Sequence, residues 1–199
     1  MIDFNQISIK EGEELVKAAR KVVSEYLKNG KKLDLGTDFE AKFSFDAGIF
    51  VTLNDPKGLR GCIGYPLPDK KLYKIVSDAA ISAATEDPRF PSVESGELEK
   101  ITFEVTVLSE PEKIIVKDPL EYPSKIKVGR DGLIIKSGLH SGLLLPQVPI
   151  EYGWNEEQFL EYTCQKAGLP NDFWKNSETE VLKFEGIVFK EEKPNGKVV

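Results

Sequence analysis

The chain is poor in the residues that most metal and redox sites need. Its 199 residues include two cysteines, Cys62 and Cys164, and one histidine, His140. The cysteines stand far apart, form no CxxC pair and match no zinc spacing, so no metal site is predicted. A disulfide between them is not expected in a reducing cytosol. Arginine is nearly as scarce: Arg20, Arg60, Arg89 and Arg130 stand against 23 lysines. Where lysine supplies solubility, an arginine marks a need for a planar fork of donors, for a carboxylate or for a ligand. No apolar run is long enough to span a membrane, and the N-terminus lacks the basic-then-apolar layout of a signal peptide, which makes the cytoplasm the default expectation. The Lys-Ser/Thr of a phosphate loop, a dinucleotide fingerprint and a serine-hydrolase elbow are all missing, so the cofactor is left unknown. A net charge of −6 and a pI near 5.1 lack the basic field that nucleic acid or an anionic membrane would require.

What remains is the composition of one well-cored domain, 40% hydrophobic and 30% charged. Lysine and glutamate enrichment beside a single methionine is the balance found in heat-adapted proteins. Ser8-Ile9-Lys10-Glu11 reads as a capping box, followed by apolar residues at helical spacing up to Asn29-Gly30. Residues 31–47 read as a loop with a short extended piece. Gly48 to Asn54 reads as a strand that turns through Asn54–Gly58 into a second, antiparallel one. From Asp69 a stripe of small apolar residues predicts a helix ending near Glu86, because Pro88 disfavours helical geometry at Asp87. Alternation over 101–107 predicts a half-buried strand with Glu104 on its polar face. Short strands are predicted at Ile126–Val128 and Leu133–Ile135 around the turn Gly129–Gly132. A helix over Glu156–Lys166 and a strand over Leu182–Phe189 follow, and the charged tail 190–199 is expected to fray. Helices mixed with antiparallel strands, without regular β-α-β alternation, predict an α+β fold.

The chemistry concentrates in Gly58-Leu59-Arg60-Gly61-Cys62-Ile63-Gly64. In an extended segment Arg60, Cys62 and Gly64 share one face, and a guanidinium beside a thiol favours the reactive thiolate. Gly61 and Gly64 leave room for a close approach. Asp87-Pro88-Arg89-Phe90-Pro91 holds a second arginine in a rigid loop, either to fix its guanidinium or as an ordered connector. If His140 met Cys62 in space, Glu104 would complete a Cys–His arrangement. Otherwise Cys62 is a small residue in a glycine-rich strand, His140 a loop residue and Glu104 a solvated one. Gln147 is the one polar residue closing the apolar run Gly142–Val148. Two functional readings follow: an enzyme with Cys62 at its centre acting on an unidentified small molecule, or a binding module that receives a peptide or protein partner around Leu59–Gly64.

Leu59-Arg60-Gly61-Cys62-Ile63-Gly64, Asp87–Pro91, Gly142–Val148, Tyr152-Gly153-Trp154 and Cys164–Leu169 together resemble the AMMECR family, in order and over nearly the whole chain. The resemblance implies a stand-alone archaeal or bacterial member with an antiparallel sheet and flanking helices. It implies one domain over 1–199, with a smaller lobe within about 123–150 as an option. It further implies a cysteine-centred enzymatic or regulatory site at Arg60, Gly61, Cys62, Gly64, Asp87, Arg89, Phe90 and Pro91, with the slots of His140 and Glu104 variable. A pathway shared with Memo-like and radical-SAM proteins is the partner expectation that comes with it.

Overall fold

Ser8 starts the first helix, α1 (Ile9–Asn29), by accepting the Lys10 N–H while Glu11 reaches back to the Ser8 N–H. Gly30 ends it in the left-handed conformation, at φ 70°. In this computed structural model, which describes residues 4–199, Leu15, Val16, Ala19, Val22 and Val23 are the buried stripe of α1. The segment 31–47 departs from its predicted loop by forming a short helix, α2 (Thr37–Lys42). Phe39 and Phe43, one turn apart, pack ring on ring at 4.6 Å, and Phe43 is fully buried, which supplies tertiary support that local propensity does not show.

β1 (Gly48–Asp55) and β2 (Gly58–Tyr65) form the expected antiparallel hairpin. The helix α3 (Leu72–Thr85) follows, and β3 (Thr102–Leu108) pairs antiparallel with the other side of β1. The order β2-β1-β3 leaves β2 at an edge. Ile49, Val51, Leu53, Phe103, Val105 and Val107 turn to one face and join the apolar residues of α1 and α3 in a single core. Alanines 79, 80, 83 and 84 of α3 are all buried in it, and their small size lets the helix lie close to the sheet.

Two compact units divide the chain: the first ends at Leu108 and resumes from Ile187 to Val199, and the second is Ser109–Gly186. Within the second, β4 (Glu112–Lys113), α4 (Tyr122–Lys125), β5 (Asp131–Ser137), β6 (His140–Leu144), α5 (Gln147–Tyr152) and α6 (Glu156–Lys166) precede β7 (Glu180–Lys190). β5 pairs with β6 on one side and β7 on the other, all antiparallel, and β4 pairs with β7. Leu133, Ile135, Phe159, Leu160, Cys164, Trp174 and Val181 build this unit's own core. The fold is α+β.

The hairpin predicted around Gly129–Gly132 lies later, across 131–144, and turns at Gly138 and Leu139. The cause is Asp131. Its carboxylate, 1% exposed, accepts the Lys127 N–H and grips Arg130, which closes 127–131 into a turn before a strand can start. The run Gly142–Val148 also splits, with strand to Leu144 and α5 from Gln147.

Residues 190–199, expected to fray, fold back on the first unit. Lys190 and Val199 exchange backbone hydrogen bonds, and the Glu191 N–H donates to the Phe103 carbonyl. Glu191, 6% exposed, takes the Arg20 guanidinium through Nε at 2.7 Å and also through Nη2, while its carboxylate accepts the Phe103 N–H at 3.0 Å. Arg20 adds bonds to the Leu98 and Ile101 carbonyls and stacks 4.5 Å from the Phe103 ring. A charge composition that looks solvated thus contains one glutamate that is an internal fastener. Arg20→Ala strands that carboxylate, so denaturant unfolding should report a loss of about 3–5 kcal/mol. Removing the exposed Lys17–Glu13 pair should cost no more than about 0.5 kcal/mol.

Candidate functional site

Two arginines join the edge strand β2 to the loop after α3, each from its own side. From the loop, Asp87 accepts the Cys62 N–H at 2.8 Å and Arg89 donates to the Cys62 carbonyl at 3.3 Å. Arg89 grips Asp87 with Nε at 2.9 Å and Nη2 at 2.7 Å, so the pair occupies both outward backbone groups of Cys62. From the strand, Arg60 holds Glu97 through Nε and Nη2, both at 2.9 Å, and donates to the Pro91 and Ser92 carbonyls. The hydrogen bonds to Asp87, first those of Arg89 and then the two backbone N–H groups, hold its carboxyl far below the usual carboxylate range against the opposing effect of burial.

The pairing between β1 and β2 shifts between Leu53 and Asn54, where Leu53 faces Gly61 and Asn54 faces Leu59. Arg60 is therefore the extra residue of a bulge. The expected sharing of one face by Arg60 and Cys62 rests on unbroken alternation, and the bulge interrupts it. Gly61 turns toward α3, where a Cβ would lie 2.1 Å from the Ala83 carbonyl oxygen. Gly64 is roofed by the Phe50 ring, 2.4 Å from where its Cβ would stand. Both glycines are explained by packing inside the unit.

Cys62 itself is half-buried, on the sheet face away from α1 and α3. The Thr52 hydroxyl donates to its Sγ at 3.3 Å. Register places Thr52 between Cys62 on β2 and Glu104 on β3, so thiol, hydroxyl and carboxylate form one row across three strands. Two register pairs further along, on the same face, lies Thr106, fully buried, with a hydroxyl that has no hydrogen-bond partner among the described residues. Burial pushes the Cys62 thiol up from its ordinary value. The Thr52 hydrogen bond and the Arg89 charge oppose this, while Asp87 and Glu104 reinforce it. Arg60 is not among the groups acting on the thiol. The structure thus brings Cys62, Asp87, Arg89 and Glu104 together, adds Thr52, and engages Arg60 elsewhere.

His140 and Gln147 belong to the second unit. His140 is exposed at the start of β6, its Nδ1 3.2 Å from the Ala167 carbonyl, and Gln147 is half-buried at the start of α5. Cys164 is fully buried in that unit's core, which lifts its thiol to about 11. Among the described residues, no group of three or more His, Cys, Asp or Glu is placed to hold a metal ion, and no helix is long and apolar enough to cross a membrane. A surface recess of about 450 Å³ between the 32–40 segment and α3, lined by Lys32, Leu35, Glu40, Tyr73, Ser77 and Asp78 among others, contains none of the predicted site residues.

Residues 16–189 match the AMMECR1 family. A protein of Pyrococcus abyssi is 51% identical, with 94% of this chain and 93% of that protein covered. One of Methanocella arvoryzae is 49% identical, with 97% of each covered. The crystal structure of an uncharacterized protein, PH0010 of Pyrococcus horikoshii, superposes with a TM-score of 0.91 at 48% identity over 97% of both chains.

Two outcomes follow from this geometry. Gly61→Ala drives a methyl into the Ala83 carbonyl, so thermal or chemical unfolding should show a loss of about 2–3 kcal/mol. Asp87→Asn keeps an acceptor for Cys62 but weakens the hold on Arg89, at about 1–3 kcal/mol near neutral pH. Because the Asp87 carboxyl titrates far below its ordinary 3.8 in the folded chain, its contribution is fully present above that value and is lost progressively as pH falls toward the folded one. Urea midpoints for parent and Asp87→Asn should therefore draw steadily together as pH is lowered below about 4.

Proposed function

As this chain belongs to the AMMECR1 family, we propose that its first unit is a recognition module for a small polar molecule, bound on the sheet face that carries Cys62, Thr52 and Glu104. Cys62 serves there as a compact, protonated side chain rather than as a thiolate nucleophile. One observation carries this reading: the Arg60 guanidinium expected to activate the sulfur is held by a carboxylate, as is that of Arg89, and burial pushes the thiol above its ordinary value. A nucleophile would need the opposite balance, with a free cation or a base beside the sulfur.

The binding surface in this reading is the face of the sheet and not its edge. A peptide adding as a strand beside β2 would have to displace Asp87 and Arg89 from the two Cys62 backbone groups they occupy. The enzymatic reading keeps one supporting feature, the register that sets thiol, hydroxyl and carboxylate in one row, with the Thr52 hydroxyl bonded to the sulfur.

The pH dependence of iodoacetamide labelling, read by peptide mass spectrometry, separates the two. Labelling of Cys62 should climb continuously through pH 9, since only the thiolate reacts and burial disfavours it. A plateau reached near neutral pH would demonstrate an activated thiol and overturn the proposal.

A further inference from the structure

The motif Tyr152-Gly153-Trp154 plays no part in the Cys62 site, yet it builds a distinct surface on the second unit. Tyr152, at the end of α5, stacks on Trp154 with ring centroids 5.0 Å apart and planes 17° apart. Trp154 in turn stacks on Tyr162 of α6 at 4.0 Å and 12°. The left-handed Gly153, at φ 68°, reverses the chain so that Tyr152 comes back over the indole. Two near-parallel neighbours at these distances take both faces of the indole and leave the outer face of each tyrosine. Tyr152 is 69% exposed and its α5 neighbour Ile150 60%, so the outer tyrosine face is accessible.

The stretch of chain that carries the stack is acidic. Between Lys136 and Lys166 the chain has no lysine or arginine, while Glu151, Glu156, Glu157 and Glu161 all fall there. Lys175 reaches Glu157 at 3.4 Å. Glu151, Glu156 and Glu161 have no ion-pair partner among the described residues, and Lys166 sits one turn beyond Tyr162, at the far end of the stack from Tyr152. A planar, electron-rich face in an acidic stretch of chain attracts a planar cation and repels phosphate. Nucleobases stack equally well but arrive with phosphates, so the acidic surround selects against nucleotides.

We propose that the Tyr152 end of this stack is a docking site for an arginine-bearing segment of a partner protein. A guanidinium lies on the outer face of Tyr152, and the unpaired glutamates receive its N–H groups or a neighbouring cation. Arginine suits the site better than lysine, because its flat, weakly hydrated head stacks on an aromatic ring where an ammonium stays hydrated.

Titration of the full chain with a short peptide carrying two arginines, followed by tryptophan fluorescence and by calorimetry, tests this. Binding should weaken with added salt, be tighter for arginine than for the matched lysine peptide, and be absent for the matched glutamate peptide. Tyr152→Ala, at an exposed position, should weaken it about five- to tenfold, and Tyr152→Phe should restore it. The proposal fails if no peptide binds at millimolar concentration. It fails equally if Tyr152→Ala leaves affinity unchanged, which would assign binding to net charge alone, or if adenosine monophosphate binds as well as the arginine peptide.

Discussion

The first unit depends on what happens to the outer edge of β2. An edge strand presents unpaired N–H and C=O groups, and here those of Cys62 are taken by the carboxylate of Asp87 and the guanidinium of Arg89. The two side chains act as a one-residue substitute for a neighbouring strand. Arg60 returns the same favour in the other direction by holding the loop carbonyls of Pro91 and Ser92. The loop is rigid because prolines flank Arg89, and it is docked because both arginines are forked onto carboxylates. With the strand pinned, Gly61 can sit under the Ala83 carbonyl without a side chain to push it away.

That constraint decides the chemistry left for Cys62. The edge is closed by Asp87 and Arg89, and the helix-facing side is filled by α3, so what remains is the opposite face, where Thr52 and Glu104 lie beside the sulfur in register. An arginine bound to its own carboxylate contributes little net field at the thiol: Arg89 lowers its titration while Asp87 raises it. Desolvation then outweighs both. A cysteine two positions from one arginine in sequence and bonded through its backbone to another in space thus has its thiol pushed up rather than down.

Much of this architecture was legible in the residues. The Ser8 capping box and the Gly30 stop, the β1–β2 hairpin and the small-residue helix α3 follow from local rules and stand where those rules put them. The misreadings share one cause, a residue that takes an internal partner where the pattern suggests solvent. Asp131 moved the second hairpin by closing a turn on Lys127 and Arg130, Glu191 secured the tail from a partner remote in sequence, and Phe43 supported α2 from within the core. At the site, Thr52 went unnoticed although its hairpin partner is Cys62; counting the register back from the turn would have found it, provided the bulge at Arg60 were known. The bulge itself left no mark beyond the glycines around it.

The scarcity of arginine has a structural meaning that covers the whole chain. All four arginines meet a carboxylate with Nε and Nη2 together: Arg20 with Glu191, Arg60 with Glu97, Arg89 with Asp87 and Arg130 with Asp131. Three of these carboxylate residues are at most 6% exposed, where a lysine, with one point charge and no fork, would leave acceptor sites unmet. Lysines instead pair at the surface, as Lys32 does with Asp78 and Lys42 with Glu14, with both partners substantially exposed. The division is physical: forked donors fasten internal carboxylates, and flexible ammonium groups serve the solvated face. Since each guanidinium is held in this way, an anionic ligand would find its cations among the lysines, while in the acidic, arginine-free stretch around Trp154 a lysine, Lys175, supplies the one ion pair among the described residues, to Glu157.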